Sequence, residues 1–275
     1  MIKLARAAAA AFLAFALGSG PALAADPPVN YQDLWWAGSA ENGWGMTITQ
    51  HRDTLFVAFF VYANDGRPVW LVMPGGVWDT VHKAYSGEIY YPVGSPYFTY
   101  DTASFSVGPA VGQARIEFTS PSTAQLAVSM NFMTMTKDVS RSVFAPGSPT
   151  NNYSDLWWAG KSQDGWGLAL TQQGEKLFAV WYTYDEFGRP TWFVMPDSSP
   201  CTAASGCVNG GGPGFTGKAY STRGSAWYGK TYDASQFTAT EVGTMSLQFG
   251  ANNAATFRTT VNGRSQEQAI ERQGF

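Results

Sequence analysis

His51 and His82 are the only two imidazoles in the chain, and both lie in its first half. A Ser-His-Asp hydrolase would need one of them set between a serine and a carboxylate. No Gly-x-Ser-x-Gly elbow occurs, and the matching positions of the second half are not histidine. His51 stands at a strand end beside Arg52 and Asp53 and reads as a solvated surface residue. Paired carboxylates are the machinery of glycosidases, and Asp33/Asp155 and Asp101/Asp233 recur as pairs. An Asp beside a strand start or a turn, however, characteristically caps backbone donors. The run Gly212-Pro-Gly-Phe-Thr-Gly-Lys-Ala219 nearly copies a phosphate-cradling loop, but Ala219 replaces the hydroxyl that would hold magnesium, and β-type sequence follows where a helix is required. Cys201 and Cys207 lack nearby histidines to complete a metal site. No Asp-x-Asp-x-Asp-Gly calcium loop occurs. Neither a metal nor a cofactor is expected.

The remaining candidates are aromatic. Trp44/Trp166 and Trp70/Trp192 belong to apolar faces and read as core. Trp35 and Trp157 differ. In a strand over 32–37, Leu34 and Trp36 point to one side while Asp33 and Trp35 point to the other. An indole beside a carboxylate on the less apolar face can stack on a sugar ring or on another planar or apolar group. The candidate ligand-binding set is therefore Trp35, Trp157, Asp33 and Asp155, with Arg67 and Arg189 at hairpin turns adding a charged contact. The competing reading is that Trp35 and Trp157 pack where two modules meet.

The elements that must position these residues are duplicated. Tyr31 to Pro74 returns as Tyr153 to Pro196 at a constant offset of 122, with about half of the positions identical. Trp44, Met46 and Ile48 alternate with Thr47 and Thr49 along residues 43–51, the period of a half-buried strand. Segments 54–63 and 67–73 predict a hairpin around Asn64-Asp65-Gly66. Beyond Pro74, Lys83-Ala84-Tyr85-Ser86 aligns with Lys218-Ala219-Tyr220-Ser221, Tyr100-Asp101 with Tyr232-Asp233, and Val111-Gly112 with Val242-Gly243. Two further strand-like runs close each copy, 123–132 and 137–144, then 254–261 and 266–273. Roughly eight short strands per copy, joined by turns, predict an all-β fold. It consists of two tandem antiparallel meander modules, each a closed β-barrel or a tight β-sandwich. The modules span 30–145 and 153–275, with residues 146–152 as linker.

The hairpin strands are apolar on both faces. Leu55, Val57, Phe59 and Val61 share one, and Phe56, Ala58, Phe60 and Tyr62 share the other. Such strands must be covered on both sides, so the second face is expected to bury against the sister module. A pseudo-twofold arrangement would cover both exposed patches at once.

Gly-Trp-Gly, Leu177-Phe-Ala-Val-Trp-Tyr-Thr-Tyr184, Gly188-Arg-Pro-Thr-Trp-Phe-Val-Met-Pro196 and Val242-Gly-Thr-Met-Ser-Leu-Gln-Phe249 together resemble a tryptophan-rich repeat module. It is found in many exported proteobacterial proteins, alone, in tandem, or appended to other domains. The first copy departs from it in Phe59-Phe60, where the second has Trp181-Tyr182. The resemblance covers nearly the whole chain beyond its N-terminal segment and implies no catalytic residue or ligand. The meander barrel is also similar in architecture to avidin and lipocalin ligand holders, an analogy of shape alone.

Lys3 and Arg6 precede an apolar run from Ala7 to Leu17 and a small-x-small site at Ala22-Leu23-Ala24, the pattern of a secretory signal peptide spanning 1–24. No later segment approaches a transmembrane helix. Loss of the two cations would take the net charge from −3 to −5, and no basic run remains to bind nucleic acid. In an exported protein Cys201 and Cys207 are expected to form a disulfide, worth roughly 2–3 kcal/mol for so short a loop. The expected protein is thus periplasmic or secreted and non-catalytic, binding a partner, a glycan or a small apolar or planar molecule. A structural or assembly role in the envelope is the second reading, and a secreted hydrolase the third.

Overall fold

In a computed structural model, which describes residues 27, 29–209 and 211–275, the first module contains nine strands: β1 (Asp33–Trp36), β2 (Gly45–His51), β3 (Thr54–Tyr62), β4 (Pro68–Met73), β5 (Val77–Asp79), β6 (Ala84–Tyr90), β7 (Ala110–Phe118), β8 (Thr123–Met130) and β9 (Met133–Arg141). The second repeats them as β10 (Asp155–Trp158), β11 (Gly167–Gln173), β12 (Lys176–Tyr184), β13 (Pro190–Met195), β14 (Ser199–Pro200), β15 (Gly214–Arg223), β16 (Thr238–Phe249), β17 (Ala254–Val261) and β18 (Arg264–Arg272). Each set runs in the order 4-3-2-1-9-8-7-6 and closes when β6 meets β4, or β15 meets β13. The result is two eight-stranded antiparallel barrels, with β5 and β14 as short extra strands on the closing edge. Closure leaves no long unpaired edge, which a strand-only chain must otherwise protect. The signal-like segment 1–24 lies outside the described residues.

Alternation sorts the side chains. Trp35 pairs with Met46, Met46 with Phe59 and Phe59 with Leu71, so these four share one face of consecutive strands. That face is the barrel interior, where Leu55, Val57 and Met73 also have no exposed surface. The opposite face carries Leu34, Ala58, Phe60, Trp70 and Val72. It is buried as well.

The β6 and β15 registers correct one sequence alignment. Val72 pairs with Tyr90 and its counterpart Val194 with Tyr220, so Tyr220 answers to Tyr90 and not to Tyr85. The offset between copies rises there from 122 to 130, which places an eight-residue insertion between β13 and β15. Cys201 and Cys207 are bonded within that insertion, with Cα atoms 5.7 Å apart. Lys-Ala-Tyr-Ser recurs in both copies at positions that are not equivalent, a coincidence that only strand pairing exposes.

The outer hairpin faces meet across a pseudo-twofold. Trp70 Nε1 donates to the Thr183 carbonyl at 2.8 Å, and Trp192 Nε1 to the Val61 carbonyl at 3.3 Å. Phe60 packs edge-on against Trp192, with centroids 5.4 Å apart, and Trp70 lies 5.5 Å from Tyr182. Each module also sends an arm over the other. Gly94 N bonds the Gly188 carbonyl and Gly224 N the Gly66 carbonyl, both at 3.1 Å. Tyr97 then packs on Trp181 and Phe193 of the second barrel, while Trp227 packs on Trp44 and Phe59 of the first. A Cβ on Gly94 would lie 2.3 Å from the Tyr184 ring, and one on Gly224 2.4 Å from the Tyr62 ring, so both arms require glycine there. No helix among the described residues is long and apolar enough to cross a membrane.

Candidate functional site

With interiors filled by Trp35, Met46 and Phe59, or by Trp157, Leu168 and Trp181, the barrels do not form the open cup of the avidin or lipocalin analogy. The clefts lie outside them, at the junction. One, of about 190 Å³, is lined by Leu156, Trp158, Trp166 and Tyr182 of the second module and by Phe56, Trp70, Val72, Pro74 and Phe105 of the first. The other, of about 230 Å³, is lined by Leu34, Trp36, Trp44 and Phe60 of the first module and by Phe178, Trp192, Val194, Pro196 and Phe237 of the second. Position by position these are equivalent residues exchanged between modules, identical except that Phe60 stands where the other cleft has Tyr182. The pseudo-twofold therefore makes two copies of one apolar cleft, and each copy needs both modules.

Local geometry explains how the walls come together. Trp36 and Trp158 end short strands and are half-buried, facing the junction. Gly43 and Gly165 follow, with φ of 117° and 101°. A Cβ there would strike the Phe237 ring at 2.5 Å or the Phe105 ring at 2.2 Å, so glycine allows the arm of the opposite module to close each cleft's end. Tyr62 donates to the Gly43 carbonyl at 2.6 Å, and Tyr184 makes the matching bond to Gly165. Burial raises the pKa of Tyr62, Tyr182 and Tyr184 well above the ordinary tyrosine value, so these junction phenols are neutral donors.

Trp35 and Trp157 are 0% and 2% exposed. That burial leaves little indole face for a ligand, contrary to the expectation placed on them, although Trp157 is among the residues lining the Trp158 cleft. Each indole N–H donates at 3.0 Å within its own module, to the Tyr31 or the Tyr153 carbonyl. Asp33 and Trp35 do share one face of β1, and that face is the inner one. Asp33 is accommodated there because Arg141 Nη1 donates to it at 2.9 Å, with the guanidinium 5.3 Å from the Trp35 ring. Asp155 and Arg272 repeat the pair at 2.9 Å, with Arg272 5.1 Å from Trp157. Arg67 and Arg189 bind back to Asp65 and Asp185 at their own hairpin turns and line neither cleft.

His51 is half-buried and tied to the other module. Its Nε2 meets Asp155 Oδ1 of the other module at 2.9 Å, and its ring stacks on Phe275 at 4.0 Å. Gln173 makes the equivalent contact to Asp33, at 3.2 Å. His82 is exposed beside Asp79, whose carboxyl is held down at about 2 by hydrogen bonds from the His82 amide and ring. Asp101 and Asp233 accept from Ala103 N and Ser235 N, the capping role expected of them. Gly214 opens a strand, not a helix, so the phosphate-loop likeness is without consequence.

The residues that sequence reasoning passed over are Trp36, Trp158, Phe56 and Phe178. Their signal was present, since Trp36 shares its face of β1 with Leu34 and points the same way as the outer hairpin face already assigned to the junction. The polar surroundings divide the two clefts. Behind Trp44, Glu41 Oε2 accepts from Trp44 Nε1 at 3.0 Å and pairs with Lys137 Nζ at 2.5 Å. At the matching positions Gln163 Nε2 donates to Gln268 Oε1 at 3.2 Å. Asn42 lines the Trp36 cleft where Asp164 lines the Trp158 cleft. No family model, curated protein or solved structure matches the chain.

Proposed function

We propose that the protein is an exported, non-catalytic binding protein whose two junction clefts each take one small apolar or planar ligand. The observation that carries the reading is the pair of equivalent aromatic clefts, each assembled from both modules. Concave, mostly apolar sites with a few polar groups at the edge are the usual form of small-molecule sites. Stacking on Trp36 or Trp158 would supply most of the affinity. The signal-like segment and the Cys201–Cys207 disulfide support a periplasmic or secreted setting, and the resemblance to the tryptophan-rich module of exported proteins belongs to the same proposal.

Calorimetric titration with 1-naphthylmethanol, a neutral planar probe, tests it. Two sites per chain are expected, falling to one in Trp36→Ala or Trp158→Ala and to none in the double variant. Absence of saturable binding to the intact chain would remove the reading and favour a structural role.

A further inference from the structure

The two clefts share a shape but not a charge. Resting on the reading above, we infer that the Trp158 cleft selects ligands carrying a positive charge on an apolar body, such as an arylalkyl ammonium ion, while the Trp36 cleft takes the neutral form.

Three placements carry this. Asp164 lines the Trp158 cleft, and among the described residues no lysine, arginine or histidine pairs with its carboxylate and no side-chain hydrogen bond reaches it. Its twin in the Trp36 cleft is the neutral Asn42. Lys137 lies 5.4 Å from the ring centroid of Trp44, one wall of the Trp36 cleft, and the equivalent position in the second module is the neutral Gln268. One cleft thus joins aromatic faces to a cation whose charge is already answered by Glu41. The other joins aromatic faces to an unanswered anion.

An ammonium ion gains from both parts of the second arrangement. Ring faces attract cations through their quadrupole, and a carboxylate at a half-buried rim adds an attraction that water does not fully screen. Trp158, Trp166 and Phe105 supply the faces. In the Trp36 cleft the same ion would find no free carboxylate, because Asn42 is neutral and Glu41 is already paired with Lys137.

Titrations with 1-naphthylmethanol and with 1-naphthylmethylammonium separate the claims, because the two probes differ mainly in charge. The ammonium probe is expected to bind the Trp158 cleft roughly five- to tenfold more tightly than the Trp36 cleft, a gap of the size typical of one partly exposed charge contact. Asp164→Asn should remove that preference, and Asn42→Asp should raise ammonium affinity at the other cleft. Added salt should narrow the gap as well. Should the alcohol bind at two sites while the ammonium probe shows no preference, or one that Asp164→Asn leaves intact, the inference falls and the binding function stands. If neither probe binds, both fall. Should Asp164→Asn fail to fold, the Asn42→Asp and salt arms decide the matter by themselves.

Discussion

Glu41 and Lys137 of the first module occupy the places that Gln163 and Gln268 hold in the second, and the two pairs make the same bridge, one ionic and one between amides. The pair differs as a unit, since removing one partner of a shielded ion pair leaves an uncompensated charge. Asn42 and Asp164 differ alone, because a rim position tolerates an unpaired carboxylate that water can reach. A duplicated scaffold has thus kept its aromatic walls and reassigned its charges, holding them behind the wall in one half and at the rim in the other. The junction seam follows the same pattern, with Gln173 on Asp33 in one place and His51 on Asp155 in the other. Shape is shared by both halves, whereas electrostatics is local to each.

The most severe way to break the comparison is to separate the halves. Residues 153–275 alone would expose Tyr182, Tyr184, Trp192 and Val194, all buried in the whole chain. Even about 500 Å² of apolar surface is worth on the order of 12 kcal/mol before ordering costs. The fragment is expected to self-associate or aggregate, and sedimentation showing a stable, soluble monomer would contradict a shared core.

Next in size is the exchange of arms. Trp227 is 1% exposed against the first barrel, whereas Tyr97 is only half-buried against the second. Trp227→Ala should cost about 3–5 kcal/mol in urea denaturation, the range for a large buried aromatic. Tyr97→Ala should cost clearly less, and equal or inverted losses would mean that the arms do not seal the barrels as their burial indicates.

The smallest effect sharpens the charge comparison. Glu41→Gln leaves Lys137, whose side chain is 9% exposed, without its counter-ion and is expected to cost about 1–3 kcal/mol. Converting both residues, Glu41→Gln with Lys137→Gln, recreates the arrangement of the second module and should recover most of that loss. A double variant no more stable than the single one would show that the two bridges are not interchangeable.

Much of this architecture was legible in the residues. The duplication, the hairpins around Gly66 and Gly188, the two apolar faces of β3 and β12 and the disulfide loop follow from period and composition, which act locally and repeat at a fixed offset. The site was legible only in its parts. Trp36 and Trp158 stood in view, but Asp33 made the opposite face of β1 look like the wet one. Polar character is a poor guide where a partner distant in sequence, here Arg141, satisfies a carboxylate beneath the barrel wall.

What the sequence determined by itself is therefore the unit: strands of alternating character joined in an antiparallel meander, a barrel or a sandwich, and copied once. Tertiary structure decided how the units use one another. Whether β1 presents Trp35 or Trp36 to the junction depends on which side Met46 and Phe59 fill, and that is set by pairing across strands. The equivalence of Tyr90 and Tyr220, the crossing of the Tyr97 and Trp227 arms and the placing of Asn42 and Asp164 in matching clefts arise from contacts between residues far apart in the chain. Local pattern records which residues can be buried; only the packed pair of barrels decides against what.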